Sequence, residues 1–193
     1  MITKTEEEIF RKDQLVDLFT FEACSKSSSK FDLGKLKWTN NYYLQLLSIN
    51  EAYDFLNHFL PNEIKSIYDE NKQKAIIELY RPQLKEGIEL KELSSIFVAK
   101  NKMIAEDEEY LKSESNAIEI KEYINKNLGN FDWTLENIKA FIKELGKALE
   151  IKGKNLYRPI RLMLFGESHG PALSELMFLI GKEEIEKRIN QEW

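Results

Sequence analysis

Cysteine, histidine, proline and glycine are all scarce in this 193-residue chain. The single cysteine, Cys24, cannot close an internal disulfide, which fits a reducing compartment. Two histidines, His58 and His169, are too few for a zinc centre, so no metal site is expected. Four prolines and eight glycines leave few natural breaks. With Glu, Lys, Leu, Ile and Ala dominant, the composition points to an all-α fold, as one domain or two small helical ones. No apolar run approaches the roughly 18 residues of a membrane span. The N-terminal Met-Ile-Thr-Lys-Thr-Glu-Glu-Glu has none of the apolar stretch of a secretory signal. A cytoplasmic protein that engages no membrane is therefore expected. Catalytic constellations are missing too: there is no P-loop and no dinucleotide-binding fingerprint. His58 falls in an amphipathic helix and His169 in a glycine-bounded turn, so no catalytic residue is assigned.

What the chain does have is charge, 28 cations against 33 anions, for a net of −5. The charge is unevenly spread. Lys143 to Arg161 holds six cations and two anions, a balance of +4, whereas Ile104 to Glu122 holds seven anions and two cations, a balance of −5. The residues alone leave two readings open. One is a local phosphate-facing patch on an acidic protein; the other is two solvated helix faces of opposite sign.

Capping chemistry and periodicity predict the helices. Lys12 to Phe19 reads as a short helix with Leu15, Val16, Leu18 and Phe19 inward, and Ser25 to Lys30 as a loop. Asp32 caps a helix from Leu33. Ser48 and Glu51 form a capping box for a helix to about Phe59. Ile64, Ile67, Tyr68, Ile76, Leu79 and Tyr80 suggest one helix from Glu63, ending near Arg81 because Pro82 disfavours helical geometry before it. Leu90 to Phe97 gives another, and Val98 to Met103 is a candidate boundary between subdomains. One or two acidic helices follow over Ile104 to Asn127, with Glu106 to Glu109 as a solvated face. Thr134 caps the helix carrying Ile138, Phe141, Ile142, Leu145 and Leu149, and Trp133 is its hydrophobic staple. Farther on, Pro159 suits a first helical turn, Gly166 a left-handed stop, and Gly170-Pro171 opens a helix with Leu173, Leu176, Met177 and Ile180 on one stripe before Gly181. Leu162, Leu164, Leu176 and Met177 are assigned to the core.

The run LYRPIRLMLFGESHGPAL, with LIGKEEIEKRI after it, resembles the C-terminal anticodon-binding region of bacterial glutamyl-tRNA synthetases. Far upstream, Ser25-Lys26-Ser27, Phe31-Asp32, Lys35-Leu36 and Trp38-Thr39-Asn40 are similar, in register, to the segment that follows the family's catalytic signature. The Ser/Lys loop looks superficially like the ATP-site lysine signature of class I synthetases, but these flanks place it in the later, non-catalytic segment. Neither class I catalytic signature is present.

The resemblance implies an all-α architecture: the end of a stem-contact region over 1–48, then two helical anticodon-binding subdomains over 49–98 and 99–193. It implies tRNA(Glu) as the partner of a monomer, no DNA partner and no cofactor on this chain. ATP and magnesium serve the intact ligase. Arg161 matches the family arginine at the first anticodon base, and Gly170 and Leu173 match positions around the pockets for the first two bases. Lys152, Lys154 and Arg158 are assigned to phosphates. Arg81-Pro82-Gln83 matches an Arg-Pro-x motif whose third residue faces the third anticodon base, C for glutamate and G for glutamine. Discriminating members carry arginine there, whose donors suit C and oppose G. Gln83 offers a donor and an acceptor and tolerates either, which extends the partner to tRNA(Gln). A different reading, a free-standing helical adaptor that binds a protein, stays open on the residues alone.

Overall fold

The computed structural model describes residues 9–23, 30–114 and 116–192. The Ser/Lys loop over 25–29 and Cys24 lie outside them. Among the described residues every regular element is helical, and no helix is long and apolar enough to cross a membrane. In chain order the helices are α1 (Lys12–Leu18), α2 (Leu33–Leu46), α3 (Ile49–Leu56), α4 (Asn62–Ile67), α5 (Glu70–Tyr80), α6 (Glu89–Leu93), α7 (Ala105–Ser113), α8 (Asn116–Asn127), α9 (Leu135–Ala148), α10 (Lys154–Phe165), α11 (Leu173–Ile180) and α12 (Lys182–Ile189).

Three starts follow from side-chain oxygens that accept orphan amides. Asp32 accepts from Lys35 N–H at 3.1 Å, and Thr134 from Asn137 N–H at 3.2 Å. Ser48 and Glu51 exchange both bonds of a capping box, at 3.3 and 2.8 Å. Gly166 ends α10 at φ +74°, and Gly181 ends α11 at φ +97°.

The expected long helix from Glu63 is broken in two. Tyr68 is extended, Asp69 caps α5 by accepting from Lys72 N–H at 2.8 Å, and the Gln73 side chain donates to the Tyr68 carbonyl at 2.7 Å. Local polar partners satisfy the groups that a continuous helix would have paired. Helix α5 does stop at Tyr80, yet Arg81 keeps helical angles (φ −48°, ψ −41°). The missing N–H of Pro82, rather than the geometry before it, ends the ladder. In α1 the residues expected inward, Leu15, Val16, Leu18 and Phe19, are all exposed, because the seven-residue helix has no described neighbour covering it.

Helix α10 organises the C-terminal half. Eight of its twelve residues are buried, including Leu162 and Leu164, and α7, α8 and α12 pack around it. Full burial of each such leucine contributes about 1.5–3 kcal/mol. Helix α11 buries Leu173, Leu176, Met177 and Ile180 against α9 and α12, and it also meets α5. That last contact makes the apolar core continuous with the α3–α5 half.

Candidate nucleic-acid interface

Helix α9 turns Ile138, Phe141, Ile142 and Leu145 into the core, which leaves Lys139, Lys143 and Lys147 exposed at i, i+4 and i+8 on one flank. The chain then leaves α9 by a tight reversal. Ile151 N–H donates to the Gly146 carbonyl at 2.9 Å and Glu150 N–H to the Lys147 carbonyl at 3.3 Å, with Glu150 in the left-handed region at φ +57°. This is the paired-bond helix ending usually given to glycine. It folds Ile151 and Lys152 back over Gly146, where an added Cβ would stand 2.9 Å from the Ile151 carbonyl oxygen.

Helix α10 starts at Lys154, five residues before Pro159, which therefore sits inside the helix. Pro159 leaves the Asn155 carbonyl without its amide partner, and Asn155 is exposed to solvent. The early start corrects the expectation that Pro159 lies in the first helical turn, and it makes Arg158 and Arg161 mid-helix residues.

Arg161 is 7% exposed and turns toward the 166–172 turn. Its Nη1 donates to the Pro171 carbonyl at 2.7 Å, Nη2 donates to the His169 carbonyl, and Nε has no partner. Burial pushes this guanidinium below its ordinary pKa, and the nearby Glu167 carboxylate offsets part of the shift. Gly170 lies over it at φ +130°; a Cβ there would be 2.6 Å from Nη2. The far side of the turn is held by Asn101, whose N–H donates to the Phe165 carbonyl at 3.1 Å and whose Nδ2 donates to Glu167 at 2.5 Å.

Between α9, α10 and the start of α11 these elements enclose a groove of about 930 Å³. Ile142, Leu156 and Leu173 form its apolar floor, Arg161 and Pro171 close one end, and Lys139, Lys143, Lys147 and Lys152 stand on its rim. An apolar floor under a cationic rim suits a flat, uncharged ring system carried on a phosphodiester chain.

Of the expected residues, the structure brings Arg161, Gly170 and Leu173 together. Lys152 borders the groove, and Lys154 is exposed at the start of α10. Arg158 is the exception. Its Nη2 bonds Asp107 at 2.8 Å, its guanidinium lies 3.8 Å from the Tyr110 ring centroid, and both charged side chains are largely buried. Its charge is spent inside the protein, so it offers no free cation to a phosphate. The same pair corrects the reading of Glu106 to Glu109 as wholly solvated, since Asp107 is only 7% exposed. Replacing Asp107 with alanine strands the Arg158 charge and should cost about 3 kcal/mol in urea unfolding. Adding Arg158→Met to that variant should recover part of the loss.

Gln83 lies outside the groove, exposed at the tip of the turn after α5. That turn is stapled from α2: Asn41 Nδ2 donates to the Leu84 carbonyl at 2.7 Å and the Pro82 carbonyl at 3.1 Å, and Asn40 Nδ2 to the Lys85 carbonyl at 2.5 Å. Tyr80, buried at the end of α5, accepts from Gln83 N–H at 3.0 Å through its carbonyl. Sequence reasoning missed Lys139 and Tyr157 and gave no role to Lys143 and Lys147. The four-residue spacing of the three lysines was the available signal.

A family model described as an anticodon binding domain matches residues 49–192. Glutamate–tRNA ligase of Bacillus subtilis is 34% identical over 197 aligned residues, covering 95% of this chain and 39% of the relative. The ligase of Mycoplasma mycoides subsp. mycoides is 30% identical over 188 residues, covering 96% and 39%. A crystal structure of glutamate tRNA ligase from Elizabethkingia meningosepticum matches with a TM-score of 0.82 at 26% identity, over 98% of this chain and 38% of that one. The chain thus spans about two fifths of the length of the relatives it matches.

Proposed function

The chain belongs to the family of anticodon-binding domains, and from that premise we propose that it recognises the anticodon loop of tRNA(Glu), in support of ATP-dependent attachment of glutamate. The observation that carries this reading is the groove itself, apolar below, ringed by four lysines and closed by the Arg161-anchored turn. In this reading Leu173 lines a base pocket, and Gly170 lets the backbone sit close over the guanidinium. Arg161 acts chiefly by fixing the turn, since both its Nη groups are already engaged by carbonyls. Lys152 and Lys154, with the α9 lysines, contact phosphates. Residues 1–48 serve as the end of a stem-contact region and 49–98 and 99–193 as two anticodon-binding subdomains; the start of the family match at residue 49 supports the first of these boundaries alone. ATP and magnesium act in the part of such a ligase that this chain does not span, in the cytoplasm. The protein-adaptor reading is not favoured, because the relatives are glutamate–tRNA ligases.

The direct test is binding of a stem-loop RNA carrying the glutamate anticodon, followed across a salt series. Affinity should fall linearly in log salt and exceed that for an unrelated anticodon by roughly tenfold or more, one to a few base-edge contacts. Equal binding to all loops, or no salt response, would overturn the proposal. Gln83 carries the finer claim that tRNA(Gln) is also accepted. Stem-loops ending in C or G at the third anticodon position should bind wild type within a few-fold of each other. Gln83→Arg should shift the ratio toward C by roughly 5- to 150-fold, the worth of one good base contact. An unchanged ratio would remove Gln83 from the site.

A further inference from the structure

Tyr157 borders two depressions at once. It lies on the first exposed turn of α10, is 45% exposed, and forms a wall of the lysine-rimmed groove. It also lines a second hollow of about 470 Å³, together with Glu106, Lys154, Arg158, Ser168 and His169. An aromatic ring standing between two cavities, with cations on both sides, has the geometry of a wedge. Apolar burial does not explain it, because Leu156 and Ile160 beside it already fill the core at 4% and 1% exposure.

We propose that Tyr157 is a stacking wedge that splits two consecutive unpaired bases of an RNA loop, sending one into the lysine-rimmed groove and its neighbour into the hollow beside His169. The proposal rests on the anticodon-loop reading and assigns it a second base subsite. The walls suit the edge of a base. Glu106 supplies acceptors and Lys154 donors, and the Ser168 hydroxyl and His169 Nδ1 are hydrogen-bonded at 2.7 Å, which sets the ring's orientation. The other wall is fixed, because Arg158 is clamped between Asp107 and the Tyr110 ring. A base entering there meets pre-ordered partners, and the lysines on α9 and at 152 and 154 stand where the connecting phosphates would run.

The test uses the full chain and a stem-loop RNA whose loop carries the glutamate anticodon. Tyr157→Ala should weaken binding by roughly 5- to 150-fold, the range for one base–aromatic stack, with no change in salt slope. Tyr157→Phe should bind within about twofold of wild type, because the ring face and not the hydroxyl is the contact. Tyr157→Trp should bind and show tryptophan quenching on RNA addition beyond that of wild type. Lys143→Ala serves as the reporter of the underlying reading. If it weakens binding while Tyr157→Ala does not, the wedge is wrong and the anticodon-loop reading stands. If neither weakens binding, both fall. Equal losses from Tyr157→Phe and Tyr157→Ala would also overturn the wedge, since a hydroxyl contact would then be responsible.

Discussion

Replacing Gly166 with alanine is expected to destabilise the protein by about 2–5 kcal/mol and to lower the melting temperature by roughly 10 °C for a chain of this size. Two separate costs add. The residue sits at φ +74°, ψ 9°, where an L side chain crowds its own backbone, at about 1–2 kcal/mol. A Cβ there would also overlap the carbonyl oxygen of Asn101, and the neighbour is backbone that cannot swing aside. Asn101 is itself fixed, with its N–H on the Phe165 carbonyl and its side chain on Glu167 and Ser95. Relief therefore means moving the 98–103 segment or the end of α10. Gly166→Asn separates the two costs, because asparagine tolerates the left-handed region but keeps the Cβ. It should recover no more than about 1–2 kcal/mol. Thermal melts by circular dichroism decide the matter, and full recovery in the asparagine variant would show that the close approach to Asn101 is not what demands glycine.

Local signals in the sequence were sufficient wherever the cause was local. Asp32, Ser48 and Thr134 cap the helices they were expected to cap, and Gly166 and Gly181 stop α10 and α11. The departures have non-local causes, with one exception. Asp107 looked like one more solvated acid in an acidic run, but its partner Arg158 is 51 residues away. Pro159 looked like a helix start, but α10 begins five residues earlier, with Leu156 of that added stretch buried in the core. Arg161 was legible as a residue near Gly170 and Leu173. Its direction was not, since that depends on two carbonyls that the chain presents only after Gly166 reverses it. The exception is the break at Tyr68-Asp69. Asp69 is an ordinary capping residue, and the apolar periodicity across it was given too much weight.

Removing the three α9 lysines together, as Lys139→Gln, Lys143→Gln and Lys147→Gln, is expected to weaken binding of the anticodon stem-loop by roughly a hundredfold at 0.1 M salt. Each phosphate neutralised on a single strand contributes about −0.7 to the slope of log affinity against log salt, so three contacts account for a slope change of about 2. Extrapolated toward 1 M, where counterion release no longer favours binding, a change of that size corresponds to about two decades at 0.1 M. The protein as a whole cannot supply this attraction, because its net charge is −5. A local stripe must do so, and the groove lining carries four lysines and Arg161 against the one carboxylate of Glu150. All three lysines are exposed, so folding stability should change by no more than about 0.5 kcal/mol. Exposed lysines on other helices, Lys65 on α4 and Lys126 on α8, provide the control. Their replacement by glutamine removes two positive charges where the α9 variant removes three, yet should leave the salt slope within about one half of the wild-type value. If the control and the α9 variant lose affinity alike, the interaction is with net charge, and the groove between α9 and α10 is not where the RNA lies.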